Sequence, residues 1–162
     1  KSAKKNINSL LEFYIDREGN NSKYVILQEY VEGAENGDIR VLMLNGKVLG
    51  CMRRVPAKDD ARSNVHAGGS VAKHTLTKTE RKLCEKIGPQ LVKDGLYFVG
   101  LDLIGGKLIE VNVVSPGGIP WINKNNRTNI QAKIMDFAES VVLAREAAMK
   151  RREQMRKRIS DV

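Results

Sequence analysis

Three residues in one short stretch have the chemistry to gather around a hard cation: Asp102, Glu110 and Asn112, in the run GLDLIGGKLIEVN at 100–112. Side chains alternate faces along a strand, so Leu101, Leu103, Ile109, Val111 and Val113 are expected to share a buried face. Asp102, Glu110 and Asn112 share the other face if the intervening turn holds an odd number of residues. A three-residue turn at 104–106 would pair 103 with 107 and 100 with 110. An even turn would send Asp102 to the wrong side. Two carboxylates and an amide oxygen suit Mg²⁺, which takes few protein ligands and completes its octahedron with phosphate oxygens and water. The alternative is the solvent-facing side of an amphipathic hairpin. Asn112 weighs against it, because Asn is disfavoured in strands and this one sits between valines.

Anion-binding groups lie elsewhere in the chain. Asp38 and Arg40 open one strand, and Arg53-Arg54 closes its hairpin partner. Arg62-Ser63-Asn64 and Gly68-Gly69 follow in a polar loop, and Ser115-Pro116-Gly117-Gly118 comes directly after the acidic hairpin. Arginine forks onto phosphate and carboxylate oxygens. Paired glycines let backbone approach a ligand, and successive N–H groups can cradle an anion. Each feature is common by itself. Together with a candidate cation cluster, they point to phosphoryl transfer.

These residues need elements to hold them. Ile7, Leu10, Leu11, Tyr14 and Ile15 recur at helical spacing and predict an amphipathic helix over 4–16. Tyr24 to Val31 reads as a strand, and Glu32 to Gly37 as a connection. Ile39 to Leu44 and Lys47 to Val55 read as a hairpin about Asn45-Gly46, two residues that tolerate positive φ. Pro56 to Lys73 reads as a long functional loop. Thr77 and Glu80 form a capping box that starts a helix with Leu83, Cys84, Ile87 and Leu91 on its apolar face and a bend at Pro89. Leu96 to Leu103 and Leu108 to Val114 read as strands about Gly105-Gly106. Ser115 to Asn126 reads as a polar loop. Ile130, Ile134, Phe137, Ala138 and Val141 mark a long last helix. Consecutive hairpins imply an α+β fold, an antiparallel sheet with helices packed on one face.

The chain has 162 residues, 41% apolar and 29% charged, enough for one core without metals or disulfides. Such a balance argues against disorder, collagen-like sequence and a coiled-coil rod. No apolar run is long enough to span a membrane, and no signal peptide follows the opening lysines. The sequence does not start with Met, so an excised or partial chain is expected. Cys51 and Cys84 read as reduced thiols of a cytoplasmic protein, and His66 and His74 as solvated loop residues. The net charge is +9, and residues 145–158 hold seven bases against two acids, so more than half of the excess lies in a C-terminal tail. The tail could serve RNA or a membrane surface, but it reads better as a solvated helix end.

The motifs taken in order resemble the C-terminal part of an ATP-grasp ligase. They are Gln28-Glu29-Tyr30, Asp38-x-Arg40, Arg54, Arg62-x-Asn64, Gly68-Gly69, Ile87-Gly88-Pro89, Gly100-x-Asp102, Glu110-x-Asn112 and Ser115-Pro116. Within that superfamily the run from Tyr24 to Ser140 is most similar to bacterial glutathione synthetases, and more distantly to ribosomal-protein glutamate ligases. The resemblance implies an ATP-grasp C-terminal subdomain over 1–144, followed by a basic helical tail at 145–162. It implies that Gln28, Glu29, Tyr30, Asp38, Arg62, Ser63 and Asn64 contact ATP, and that Asp102, Glu110 and Asn112 hold Mg²⁺, with Mn²⁺ as an alternative. It implies that Arg40 and Arg54 act on the acyl substrate and its phosphorylated form. Gly68, Gly69, Ser115, Gly117 and Gly118 are then substrate-side backbone. The implied reaction activates a carboxylate as an acyl phosphate, which an amine then attacks.

Two departures bear on this. Gly-Gly-Ile-Pro-Trp after Pro116 differs from the typical pattern and bears on the acceptor, with Trp121 a candidate wall of its pocket. Ser63 resembles the glutamate ligases, whereas the eight-residue spacing from Asp102 to Glu110 and Val113-Val114 favour the glutathione synthetase branch. Such ligases carry further domains upstream of the adenine strand, so the fragment alone is expected to be inactive and its upstream domains are expected partners. The expected small-molecule partners are ATP and anionic amino-acid or peptide substrates. No membrane partner is expected, nucleic acid is disfavoured, and a homo-oligomer stays open. The alternatives are a ligase adding glutamate or another amino acid to a peptide or protein, and a non-catalytic module that binds through the tail.

Overall fold

A computed structural model describes residues 7, 8, 26, 28–56 and 69–160. The chain falls into two compact units, residues 1–30 and 31–162. Within the first unit, Ile7 and Asn8 are helical, and the rest of the helix expected over 4–16 lies outside the described residues. The strand expected over Tyr24 to Val31 is not formed at its described positions, Ile26 and 28–31. Their β-forming side chains find no partner ladder among the described residues, and propensity without a partner does not make a strand.

The second unit is organised by two chain reversals of one kind. Asn45 and Gly46 both take positive φ, 49° and 73°, and so do Gly105 and Gly106, 56° and 74°. Two such residues in succession give a turn whose twist matches that of the flanking strands. The first turn joins β1 (Asp38–Leu44) to β2 (Lys47–Val55), and the second joins β4 (Phe98–Ile104) to β5 (Lys107–Asn112). β3 (Ser70–Lys73) pairs with the end of β2, giving a five-stranded sheet in the order β3-β2-β1-β4-β5. Among the described residues every pairing is antiparallel. The α+β, antiparallel expectation therefore holds.

β3 corrects the loop expected up to Lys73. Its four residues carry no strand pattern long enough to read, and the open edge of β2 recruits them. A one-turn 3₁₀ helix, Ala34–Asn36, precedes β1.

α1 (Lys78–Lys93) begins at the expected capping box. Glu80 N–H donates to Thr77 Oγ1 at 3.2 Å, and Thr77 N–H donates to Glu80 Oε2 at 2.8 Å. Pro89 lies inside α1 without ending it. Cys84 and Leu91 are buried with Ile39, Val41, Met43, Cys51, Leu76, Val99, Leu101 and Leu103, and Leu83 and Ile87 pack at the margin. Burial pushes the Cys84 thiol up to about 11 and raises that of Cys51, so both are inert as nucleophiles.

The opposite face of the sheet also carries helices. α2 (Ile119–Asn126) occupies a segment expected to be loop, and α3 (Ile130–Ser160) follows it. Leu42, Met52, Ile122 and Ile130 form a second core, with Leu49, Val71, Phe98, Ile119 and Trp121 around it. Helices on one face is therefore corrected to helices on both. Leu42 lies between Val41 and Met43 in sequence, and alternation sends it to the other side. The overlooked signal was Pro120 in the first turn of α2, a position where proline's missing N–H costs nothing. α3 continues past position 144 without a break and is largely exposed beyond it. Among the described residues, no helix is long and apolar enough to cross a membrane.

Candidate functional site

The expected three-residue turn at 104–106 is not formed. The turn holds two residues, with Ile104 opposite Lys107 and Leu103 opposite Leu108. Continued unchanged, that register would set Asp102 against Ile109. A bulge between Asp102 and Leu103 intervenes, so Asp102 faces Glu110, Leu101 faces Val111 and Gly100 faces Asn112. One extra residue in β5 restores the parity that an odd turn would have supplied. Val113, expected on the buried face, lies past the end of β5 and is about half exposed.

The first hairpin uses the same device. Leu44 faces Lys47 and Met43 faces Val48, and a shift between Leu42 and Met43 then sets Leu42 opposite Gly50 and Asp38 opposite Arg54. Across the sheet, Met52, Arg40, Asp102 and Glu110 form one row over four adjacent strands. Asp38 and Arg54 stand in the neighbouring row of the same face. The ladder registers alone thus bring two aspartates and two arginines together.

These side chains form a closed ionic network. Arg54 forks onto Asp38, with Nε to Oδ1 and Nη2 to Oδ2 each at 2.7 Å. Its Nη2 also reaches Asp102 Oδ2 at 2.8 Å. Arg40 forks onto Asp102, through Nε to Oδ1 and through Nη2 to Oδ2 at 3.0 Å. Asn112 Nδ2 donates to the same Oδ2 at 3.2 Å. Arg40 Nη1 donates to the Gly117 carbonyl at 3.3 Å, which ties the loop after β5 to the network. Asp38, Arg40 and Asp102 are 7%, 7% and 4% exposed, as buried as the apolar core.

Burial disfavours charge, yet pairing favours the ionised forms of Asp102 and Arg54. Burial alone would raise the Asp102 carboxyl, but hydrogen bonds and charge from Arg40 and Arg54 hold it below the usual carboxylate range. Burial alone would likewise lower Arg54, but its Asp38 hydrogen bonds and the nearby Asp102 and Asp38 charges raise it.

Gly100, which the sequence analysis names only within the Gly100-x-Asp102 motif, makes room for this. A Cβ on Gly100 would stand 3.1 Å from Pro116 Cβ and 3.3 Å from Arg40 Cδ. Glycine there lets Arg40 and the buried Pro116 share the face. The available signal was a glycine inside a strand, which often marks a close approach.

The family model described as prokaryotic glutathione synthetase, ATP-grasp domain, matches residues 1–127. The chain belongs to that family. Glutathione synthetase of Thermosynechococcus vestitus is 42% identical over 131 residues, covering 81% of this chain and 40% of the relative. That of Gloeobacter violaceus is 41% identical over 135 residues, 83% of this chain and 41% of the relative. That of Brucella melitensis is 40% identical over 138 residues, 84% of this chain and 43% of the relative. This ATP-grasp chain thus spans about 40% of the length of the first two relatives.

Within the ATP-grasp domain, the expected site residues divide into groups. Asp38, Arg40, Arg54, Asp102 and Asn112 meet in the network, and Gly117 contributes its carbonyl. Glu110 is opposite Asp102 in the ladder and exposed. Ser115 takes a left-handed φ of 47° and is exposed, and Gly118 is the N-cap of α2. Gln28, Glu29 and Tyr30 are exposed members of the first unit, in neither helix nor strand. Arg62, Ser63, Asn64 and Gly68 lie outside the described residues, and Gly69 directly precedes β3.

The donor set fits a small divalent cation that shares oxygens with a phosphate. Asp102, Glu110 and Asn112 offer only hard oxygen ligands from adjacent positions on two strands. Among the described residues, no group of three or more His, Cys, Asp or Glu gathers. The cluster has too few protein carboxylates to cage a cation unaided, which suits Mg²⁺ completed by phosphate and water.

Proposed function

We propose that this chain supplies the cation- and acyl-handling face of an ATP-dependent carboxylate–amine ligase that joins γ-glutamylcysteine to glycine. The supporting observation is the buried network of Asp38, Arg54, Asp102 and Arg40 on a domain of the glutathione synthetase ATP-grasp family. Burying four formal charges in one place is costly, and a hydrophobic row would build the sheet more cheaply. Ionised groups held there are explained by anionic chemistry.

In this reading Asp102, Glu110 and Asn112 hold Mg²⁺, which when bound neutralises charge on the ATP phosphates. A substrate carboxylate oxygen attacks the γ-phosphorus, the bond to the β-phosphate oxygen breaks, and ADP departs. Arg40 and Arg54 orient the acyl substrate and offset the charge on the transferring phosphoryl group. The amine of glycine attacks the acyl carbon, phosphate leaves, and the ammonium loses its proton. Gln28, Glu29, Tyr30, Arg62, Ser63 and Asn64 contact ATP, while Gly68, Gly69, Ser115, Gly117 and Gly118 border the substrates. Residues 145–162 form a basic appendage outside this chemistry.

The test is ADP release by the longest polypeptide the gene encodes, with ATP, Mg²⁺, γ-glutamylcysteine and glycine. Turnover that needs both substrates and falls at least about a hundredfold in Glu110→Gln is expected. Turnover with glutamate and a peptide acceptor instead would move the protein to the glutamate-ligase branch. No ADP release with any acceptor, together with salt-steep RNA binding lost on removing 145–162, would establish the binding module.

A further inference from the structure

We propose that Arg54 is an exchangeable counter-ion for Asp102: a divalent cation displaces it from the carboxylate, and the guanidinium, still held by Asp38, then takes an anionic ligand. The inference rests on the ligase reading only in assigning Asp102 to the cation.

An ionised carboxylate has about four acceptor positions. Asp102 receives four donors: Arg40 Nε on Oδ1, and Arg40 Nη2, Arg54 Nη2 and Asn112 Nδ2 on Oδ2. Three of these donors crowd the roughly two lone pairs of Oδ2 while Oδ1 takes one, so a cation can bind Oδ2 only by removing a donor.

The two arginines do not yield equally. Arg40 places its whole fork on Asp102, and its other contact is the Gly117 carbonyl at 3.3 Å. Removing it would strip a buried guanidinium of its carboxylate, a severe penalty. Arg54 places its fork on Asp38, at 2.7 Å through both nitrogens, and touches Asp102 with Nη2 alone. It can release Asp102 and keep a bidentate partner. Arg54 is the donor that gives way.

Displacement changes the local charge without moving the arginine away. The two aspartates and two arginines sum to zero. A divalent cation on Asp102 leaves the four groups at +2, with Glu110 the nearest remaining carboxylate in the row. A carboxylate or phosphate oxygen on the freed Arg54 Nη2–H restores balance. Cation and anion therefore favour each other's binding, and the coupling is reciprocal. Arg54 acts here as a positioning residue that links the loading of the two ligands.

The experiment titrates the protein with Mn²⁺ alone and follows free Mn²⁺ by electron paramagnetic resonance. Asp102→Asn should lose the binding. Arg54→Gln and Arg54→Lys should each tighten it about tenfold. Lysine keeps the charge, but a single ammonium cannot fork Asp38 and reach Asp102 at once. Nitrogen-15 spectra of the wild-type arginine side chains, titrated with Mg²⁺, should show the Arg54 Nε–H still hydrogen-bonded at saturation. That measurement needs no variant to fold.

Unchanged Mn²⁺ binding in Asp102→Asn would overturn the cation assignment and the ligase reading with it. Binding that needs Asp102 but does not tighten in either Arg54 variant would overturn the exchange and leave the ligase reading standing. Tightening in Arg54→Gln alone would reduce the effect to general charge and overturn the exchange as well.

Discussion

The two faces of one sheet are equally dry and both carry apolar clusters, but only one of them also buries charge on its strands. Under α1, Val41, Leu101 and Leu103 are fully buried among other apolar side chains. On the reverse of the same strands, Asp38, Arg40 and Asp102 are nearly as buried and all charged. Neighbours along the chain, such as Leu101 and Asp102, serve the two environments in turn. The apolar face needs only burial. The ionic face needs every donor matched to an acceptor, because an unmatched buried charge costs far more than a misplaced methyl group. One face is therefore expected to tolerate conservative change and the other to fail on loss of a single partner.

The sharpest way to break that comparison is to damage both faces at adjacent positions. Asp102→Ala should cost about 3–5 kcal/mol in a denaturant melt, because Arg40 loses its fork and Arg54 a contact. Leu101→Ala should cost about 2–5 kcal/mol through the cavity it leaves. The distinction lies in the milder variants. Leu101→Met should cost less than about 1.5 kcal/mol. Asp102→Asn, equally isosteric, should retain most of the penalty. Similar costs for these two would show that the faces do not differ in kind.

A smaller effect tests how α1 is seated on the apolar side. A Cβ on Gly88 would stand 2.1 Å from the Gly46 carbonyl oxygen. Gly88→Ala should therefore force the helix off the first hairpin turn and cost about 1–3 kcal/mol in the same melt. A neutral result would mean that the helix position is not fixed by this contact.

The smallest effect concerns the one charged group within α1 that is buried. Glu80 closes the capping box and meets His74 Nε2 at 2.9 Å. Burial would raise its carboxyl, but the His74 and Thr77 hydrogen bonds hold it below the usual range. A carboxyl lowered by folding stabilises above its unfolded pKa, and that contribution is lost as pH falls through the folded value. Stability should thus decline below about pH 4.3, the ordinary Glu value, with a shallower slope in Glu80→Gln. Thr77→Ala should cost about 1 kcal/mol at neutral pH.

Part of this site was legible in residue types and spacing. Asn45-Gly46 announces the first hairpin, Thr77 and Glu80 announce α1, and the motif order from Gln28 to Pro116 announces the family. Each depends on local chemistry: positive φ, an N-cap, or a run of side chains close in sequence. α2 is not legible as a helix because its eight residues offer too little periodicity, although Pro120 is a usable mark. β3 is not legible either, because a four-residue edge strand exists only through its neighbour.

The sequence alone determined which residues could ionise, which could turn, and which would alternate between water and core. It also contained Asp102, Glu110 and Asn112 as candidate partners. What only the tertiary structure decided was register. The bulge between Asp102 and Leu103, its counterpart between Leu42 and Met43, and the antiparallel docking of β1 on β4 fix which charges meet. Slipping one strand by one residue would exchange its apolar and ionic faces without altering a single local preference. The choice between registers is made by the summed cost of burying unmatched charges, and that sum exists only once four strands lie side by side.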